Sequence, residues 1–142
     1  MELLAGSGTH NPFHYGHVSP TTNDEGCHRE AAYAMMLYVR SPDGYEFDPR
    51  FDFAQGAVAV ELGAGTGAAG LALAAAHPHA RVVLTDLPEV CPLLQSNAQG
   101  YPGVDVRPLA WGCAAHAQVL REELGLTPVS HVICSDLVRV ES

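Results

Sequence analysis

The run Val58-Ala-Val-Glu-Leu-Gly-Ala-Gly-Thr-Gly-Ala-Ala-Gly70 constrains this chain more than any other stretch. An apolar strand that ends in a glycine-rich turn and opens an Ala/Leu-rich helix brings bare backbone to the carboxyl end of a sheet. A Cβ there would collide with a ligand or forbid the turn. Gly65-Thr-Gly67-Ala-Ala-Gly70 also satisfies the GxGxxG pattern of dinucleotide-binding folds. The loop by itself therefore predicts a strand–turn–helix unit with a nucleotide-type ligand, and leaves open which one.

The flanking pattern supplies the rest of the fold. Strands are expected over Ala57–Leu62, Arg81–Thr85, Val104–Pro108 and Ser130–Ser135. Helices are expected over Cys27–Arg40, Ala68–Ala76, Glu89–Ala98 and Ala114–Leu124, with Pro88 in a first turn and Gly125 as a stop signal. Strict alternation of strand and helix predicts an α/β fold: a partial Rossmann-like, doubly wound parallel sheet of four strands with helices on both faces. Residues 1–26, rich in Gly, Pro, Ser, Thr, Asn and His, read as a flexible arm before a domain over 27–142. His10, His14 and His17 in that arm have no Cys or acid among them and read as a solvated tail, so no metal site is expected.

Composition narrows the partners. Seven basic residues, all Arg, face sixteen acidic ones, a formal net charge of −9. Nucleic acid and anionic membrane surfaces need a basic face, which this balance does not offer; a basic protein suits it better. Cys27, Cys91, Cys113 and Cys134 are scattered without a CxxC pair and read as reduced thiols. With no signal peptide and no apolar run long enough to span a bilayer, a soluble cytoplasmic or nuclear protein is expected.

Three residues beyond the loop bear on the ligand. Glu61 stands just before the glycines, where an acid would repel a pyrophosphate but can serve the network around a cationic amino group. Asp86 ends the second strand, 19 residues after Gly67, in place to accept two ribose hydroxyls. Trp111 follows the third strand, where its face can pack on adenine. Together they favour a nucleoside carrying a cationic amino acid over NAD.

Val60-Glu-Leu-Gly-Ala-Gly-Thr-Gly67, Val83-Leu-Thr-Asp-Leu-Pro88, Pro92-Leu-Leu-Gln-Ser-Asn97, Pro108-Leu-Ala-Trp-Gly112 and Cys134-Ser-Asp136 follow one another in a characteristic order and spacing. In these motifs, over about residues 27–138, the chain resembles the family-16 protein lysine methyltransferases and their fungal nicotinamide N-methyltransferase-like relatives. The resemblance implies a class I methyltransferase fold, S-adenosylmethionine as cofactor and a protein lysine as acceptor. It also implies that Glu61, Gly63 and Gly65 line the methionine side of the cofactor. Asp86 would bind the ribose, Leu87 and Trp111 would lie by the adenine, and Asp136 would open the catalytic motif.

The chain departs from that family at two places. Where the family reads Asp-x-x-Tyr or Asp-x-x-Phe, this sequence reads Asp136-Leu-Val-Arg139, and the cation would oppose an incoming ammonium. Ala110 stands where the family often has Asp. The sequence also stops three residues after Arg139, which predicts a domain incomplete at its C-terminus, with strands one to four only. Two alternatives to an active methyltransferase therefore stand beside it. One is an inactive, truncated cofactor-binding remnant or interaction module; the other, ranked below, is an NAD(P)-dependent oxidoreductase.

Overall fold

The computed structural model of the chain describes residues 25–135 and Leu137. Most of the expected arm, the catalytic candidate Asp136 and the anomalous Arg139 lie outside the described residues, as do His10, His14 and His17.

Eight elements follow in order: α1 (Glu25–Arg40), β1 (Val58–Leu62), α2 (Ala68–Ala76), β2 (Arg81–Asp86), α3 (Cys91–Asn97), β3 (Val104–Pro108), α4 (Ala114–Leu124) and β4 (His131–Cys134). The strands form one sheet in the order β3-β2-β1-β4, and every pairing is parallel. β1 and β2 lie in its middle and are buried along nearly their whole length, which is why both read as unbroken apolar runs.

Strand alternation sorts the side chains onto two faces. Ala59, Val82, Leu84, Val106 and Ile133 pack with Met36 and Val39 of α1, Leu71 and Leu73 of α2, and Leu94 of α3. Val58, Val60 and Val83 point the other way, where Leu120 and Leu124 of α4 cover them. This division follows from handedness. Connections running outward from β1 to β2 to β3 are right-handed on one face. The return from β3 across to β4 is right-handed only on the other. The sheet order therefore reverses beside β1, the place where open α/β sheets form a crevice at the carboxyl ends of their strands.

Local chemistry tightens the frame. Gly70 lies deep in the α2–sheet contact, where an added Cβ would sit 2.3 Å from Leu84 Cδ2. A residue without a side chain lets helix and strand approach closely. Ser130 precedes β4 and uses its hydroxyl twice on one residue of β1. Its Oγ donates to the Val58 carbonyl at 2.9 Å and accepts the Val58 amide at 3.1 Å. Arg107 of β3 pairs with Glu123 of α4, and Arg81 of β2 with Asp105 of β3 at 3.2 Å. Both pairs are partly exposed, so each contributes little to stability.

One element starts later than its sequence suggests. Pro88 was expected in the first turn of a helix running on from Glu89, but α3 begins at Cys91. The Val90 amide donates to the Leu87 carbonyl at 2.9 Å, an i to i+3 bond that winds residues 87–90 into a tighter turn before the helix proper.

Candidate functional site

The glycine loop leaves β1 at Leu62 and enters α2 at Ala68. Three of its residues, Gly63, Gly65 and Gly67, have left-handed backbone with φ of 61°, 55° and 80°. At Gly65 the conformation meets open space: nothing stands within 4 Å of where a Cβ would be. Gly63 is covered instead, with Leu137 Cδ2 at 2.7 Å and Trp111 Cζ2 at 3.9 Å from its would-be Cβ. Only a glycine combines this backbone with so close an approach.

Asp86 ties the loop to the end of β2. Its Oδ2 accepts the Gly65 amide at 2.7 Å and its Oδ1 accepts the Leu87 amide at 2.7 Å. An ionised carboxylate has about four acceptor positions, so roughly two stay free on this partly exposed group. Neighbouring backbone closes the same ring: the Ala64 amide donates to the Thr85 carbonyl at 3.0 Å, and the Leu109 amide to the Asp86 carbonyl at 2.8 Å. The carboxyl ends of β1, β2 and β3 thus meet around Asp86. Beside it Leu87 is 43% exposed and Trp111 49% exposed, two large apolar side chains left half open at one rim.

Two further side chains hold this geometry and were not singled out individually in the sequence. Asn97, the last residue of α3, donates from Nδ2 to the Thr66 carbonyl at 2.9 Å and anchors the far side of the loop. His116, in the first turn of α4, accepts the Ala110 amide on Nδ1 at 3.1 Å and so braces the turn that carries Trp111. The signal available for either was a polar side chain at a helix end, Asn97 closing α3 and His116 in the first turn of α4.

Glu61 lies buried near the end of β1. Alternation sets it on the same face as Ala59, toward α2, and it is only 2% exposed. Its Oε2 accepts the Gly70 amide at 2.9 Å, while the Thr85 hydroxyl donates to its carbonyl at 2.6 Å. Oε2 is therefore engaged with the first turn of α2. Burial pushes the carboxyl up to about 7; the Gly70 bond opposes that rise and the negative charge of Asp86 adds to it. Cys91 is buried, and desolvation with Asp86 nearby pushes its thiol up, which keeps it protonated and unreactive. Among the described residues no cluster of three or more His, Cys, Asp or Glu could hold a metal, and no helix is long and apolar enough to cross a membrane.

A four-strand parallel sheet in this order, with an acid-tied glycine loop at its reversal point, defines a nucleoside-binding α/β domain of the methyltransferase kind. The profile of the lysine methyltransferase family matches residues 22–142, and the chain belongs to that family of S-adenosylmethionine-dependent methyltransferases. No curated protein sequence matches it. Among solved structures it is similar to PigF with SAH at 26% identity and a TM-score of 0.44, over 58% of this chain and 23% of that one. It is also similar to PKMT2 from Rickettsia typhi in complex with AdoHcy, at 14% identity and a TM-score of 0.45, over 70% of this chain and 18% of that one. The matched region thus spans less than a quarter of either of these structures.

Proposed function

We propose that the rim formed by the ends of β1, β2 and β3 holds S-adenosylmethionine, and that the chain serves methyl transfer to the side-chain amine of a protein lysine. The observation that carries this reading is the Asp86 carboxylate. Two backbone amides fix it at 2.7 Å each, and a partly exposed carboxylate so held keeps acceptor capacity for further donors. That is what two adjacent ribose hydroxyls require, since both donate. Leu87 and Trp111, both half exposed, offer apolar faces to an adenine ring. At Gly65 the absence of a Cβ leaves room for the amino-acid portion to approach the backbone.

When bound, the cofactor supplies an electrophilic methyl on a sulfonium. The work of the chain is to bind, orient and exclude water, so that a neutral amine lies in line with that methyl. We assign to Asp136, which opens the motif after the fourth strand in the sequence, a role toward the acceptor. The acidic balance of −9 favours a basic polypeptide as the acceptor.

The geometry disfavours the NAD reading. The start of α2, where a pyrophosphate would sit on free amides, already has a carboxylate on the Gly70 amide. A second anion at that helix end would be repelled by the first. Isothermal titration of the chain with S-adenosylhomocysteine, with NAD in parallel, tests the choice. Saturable binding of the first and none of the second is the expected result; the reverse would replace the methyltransferase reading with an oxidoreductase one.

A further inference from the structure

Residues 41–57 join α1 to β1 without forming helix or strand, yet a run of ring contacts fixes their path. Phe51 and Phe53 stack at 5.9 Å and pack on the core that α1 and α2 share with the sheet. Phe53 also meets His131, the first residue of β4, at 4.8 Å and His77, the C-cap of α2, at 5.5 Å. Tyr38 of α1 stands edge-on to both Phe51 and Phe47, at 5.4 Å and 5.3 Å. Tyr45 completes the run, near-parallel to Phe47 at 6.2 Å and 50% exposed. A turn closed by the Tyr45 amide on the Pro42 carbonyl at 3.2 Å sets it there. An aromatic ring is thus held at the surface in a fixed pose, and little further ordering is lost when a partner binds it.

The charge around that ring selects the partner. Asp43, Glu46, Asp48 and Asp52 are all exposed, and Arg50 is the one cation from residue 43 to residue 53. Neither ion pair formed among the described residues uses any of these four acids. Tyr45-Glu-Phe-Asp48 and Phe51-Asp-Phe53 alternate aromatic with acid along the chain. A Lys or Arg side chain can lay its stem on such a ring and bring its cation to the ring face or to a carboxylate. A phosphate backbone meets repulsion here instead, and a purely apolar partner would bury carboxylates with nothing to pair them.

We infer that the 43–53 segment is a docking surface for a lysine- or arginine-rich stretch of another polypeptide, gripped through Tyr45 and the acids beside it. The surface lies with the amino ends of the strands, because its rings rest on the start of β4. The cofactor rim is at the carboxyl ends, roughly 15 Å away across strands of five or six residues. The polypeptide is therefore held at a distance from the reacting atoms, and its binding requires no cofactor. That the docked polypeptide is also the methyl acceptor rests on the function proposed above; the docking itself does not.

The test is fluorescence anisotropy of a labelled peptide of alternating lysine and serine, titrated with the full chain free of cofactor. Saturable binding that weakens as salt rises is expected, and a glutamate–serine peptide is expected not to bind. Tyr45→Ala is expected to weaken the lysine peptide about fivefold, and Tyr45→Phe, which keeps the ring, to bind it as the wild type does. Glu46→Gln with Asp48→Asn is expected to weaken it about tenfold. Glu89→Gln with Glu122→Gln removes the same charge from exposed acids elsewhere and is expected to weaken it about twofold or less. Equal losses from the two pairs would overturn the inference, since net charge alone would then account for the binding. So would a wild type that does not bind the lysine peptide, or a Tyr45→Ala chain that binds it unchanged. If Tyr45→Ala does not fold, the amide resonances of residues 43–53 in nitrogen-15-labelled wild type decide, and a peptide that leaves them unmoved overturns the inference. S-adenosylhomocysteine binding is measured separately, so a chain that fails to bind it loses the cofactor reading and keeps this one.

Discussion

Asp86 Oδ2 accepts the backbone amide of Gly65 at 2.7 Å, joining two residues 21 positions apart in sequence. The bond ties the loop to the end of β2 and leaves part of the carboxylate's acceptor capacity free. A single side chain therefore shapes the site and provides its polar recognition. In Asp86→Ala both functions disappear, and S-adenosylhomocysteine affinity is expected to fall by about a hundredfold or more, since hydrogen bonds to charged groups contribute about 1.5–3 kcal/mol each. Asp86→Asn keeps one acceptor oxygen and is expected to fall between the two. Calorimetric titration of the three proteins gives the order.

Stability should depend on pH through Glu61. Its carboxyl titrates near 7 in the folded chain against 4.5 for an unhindered one, so between those values the folded state binds the extra proton. The neutral acid's advantage is fully present below 4.5 and is lost as pH rises through about 7. At about 1.4 kcal/mol per pH unit the full loss is about 3 kcal/mol. Urea unfolding at pH 5 and pH 8 should show a steeper decline for the wild type than for Glu61→Gln, and equal slopes would remove Glu61 as the cause.

Two glycines of one motif should fail in opposite ways. Gly70→Ala drives a methyl toward Leu84 Cδ2 at 2.3 Å, so stability is expected to drop by about 1–3 kcal/mol from overpacking. Gly65→Ala meets no protein atom within 4 Å and bears only the strain of a left-handed backbone, about 1–2 kcal/mol. Its methyl nevertheless occupies the open approach to the loop. The ratio of lost affinity to lost stability should be greater for Gly65→Ala, as paired melting and titration experiments would show.

Trp111 is half exposed, so Trp111→Ala should leave the melting temperature nearly unchanged while weakening S-adenosylhomocysteine binding about tenfold, the scale of a lost aromatic stacking contact at about 1–1.5 kcal/mol. His116→Ala removes the acceptor of the Ala110 amide and leaves the Trp111 indole in place. A smaller loss in the same direction is expected, and no loss at all would mean that the turn holds its shape without the imidazole.

The elements were legible because their signals were local. The apolar runs of β1 and β2, the glycine turn and Gly125 after α4 each announce a boundary within a few residues, and the structure places them there. The start of α3 was not legible, because Pro88 suits a tight turn as well as a first helical turn and only the Val90–Leu87 bond decides between them. Glu61 was legible as an acid before the glycines, but its bond to the Gly70 amide under α2 was not. Reading that bond needed the knowledge that α2 covers that face, which no local pattern carries. Asn97 and His116 act across folded distance on backbone atoms, and such partners leave almost no trace in sequence.

Ser130 has a consequence of a different kind. β4 is a short edge strand whose residues alternate between the two faces, with Ile133 in the core and Val132 exposed. A slip of one residue along β1 would exchange those roles, turning Ile133 out to water and Val132 inward. The hydroxyl of Ser130 grips the amide and the carbonyl of Val58 together, and the next residue, His131, then pairs with Ala59. A strand of four residues has few other means of choosing its partner atoms. One oxygen at its threshold acts as the index mark against which β4 is aligned, and a Ser130→Ala chain would be expected to lose that alignment before it lost its sheet.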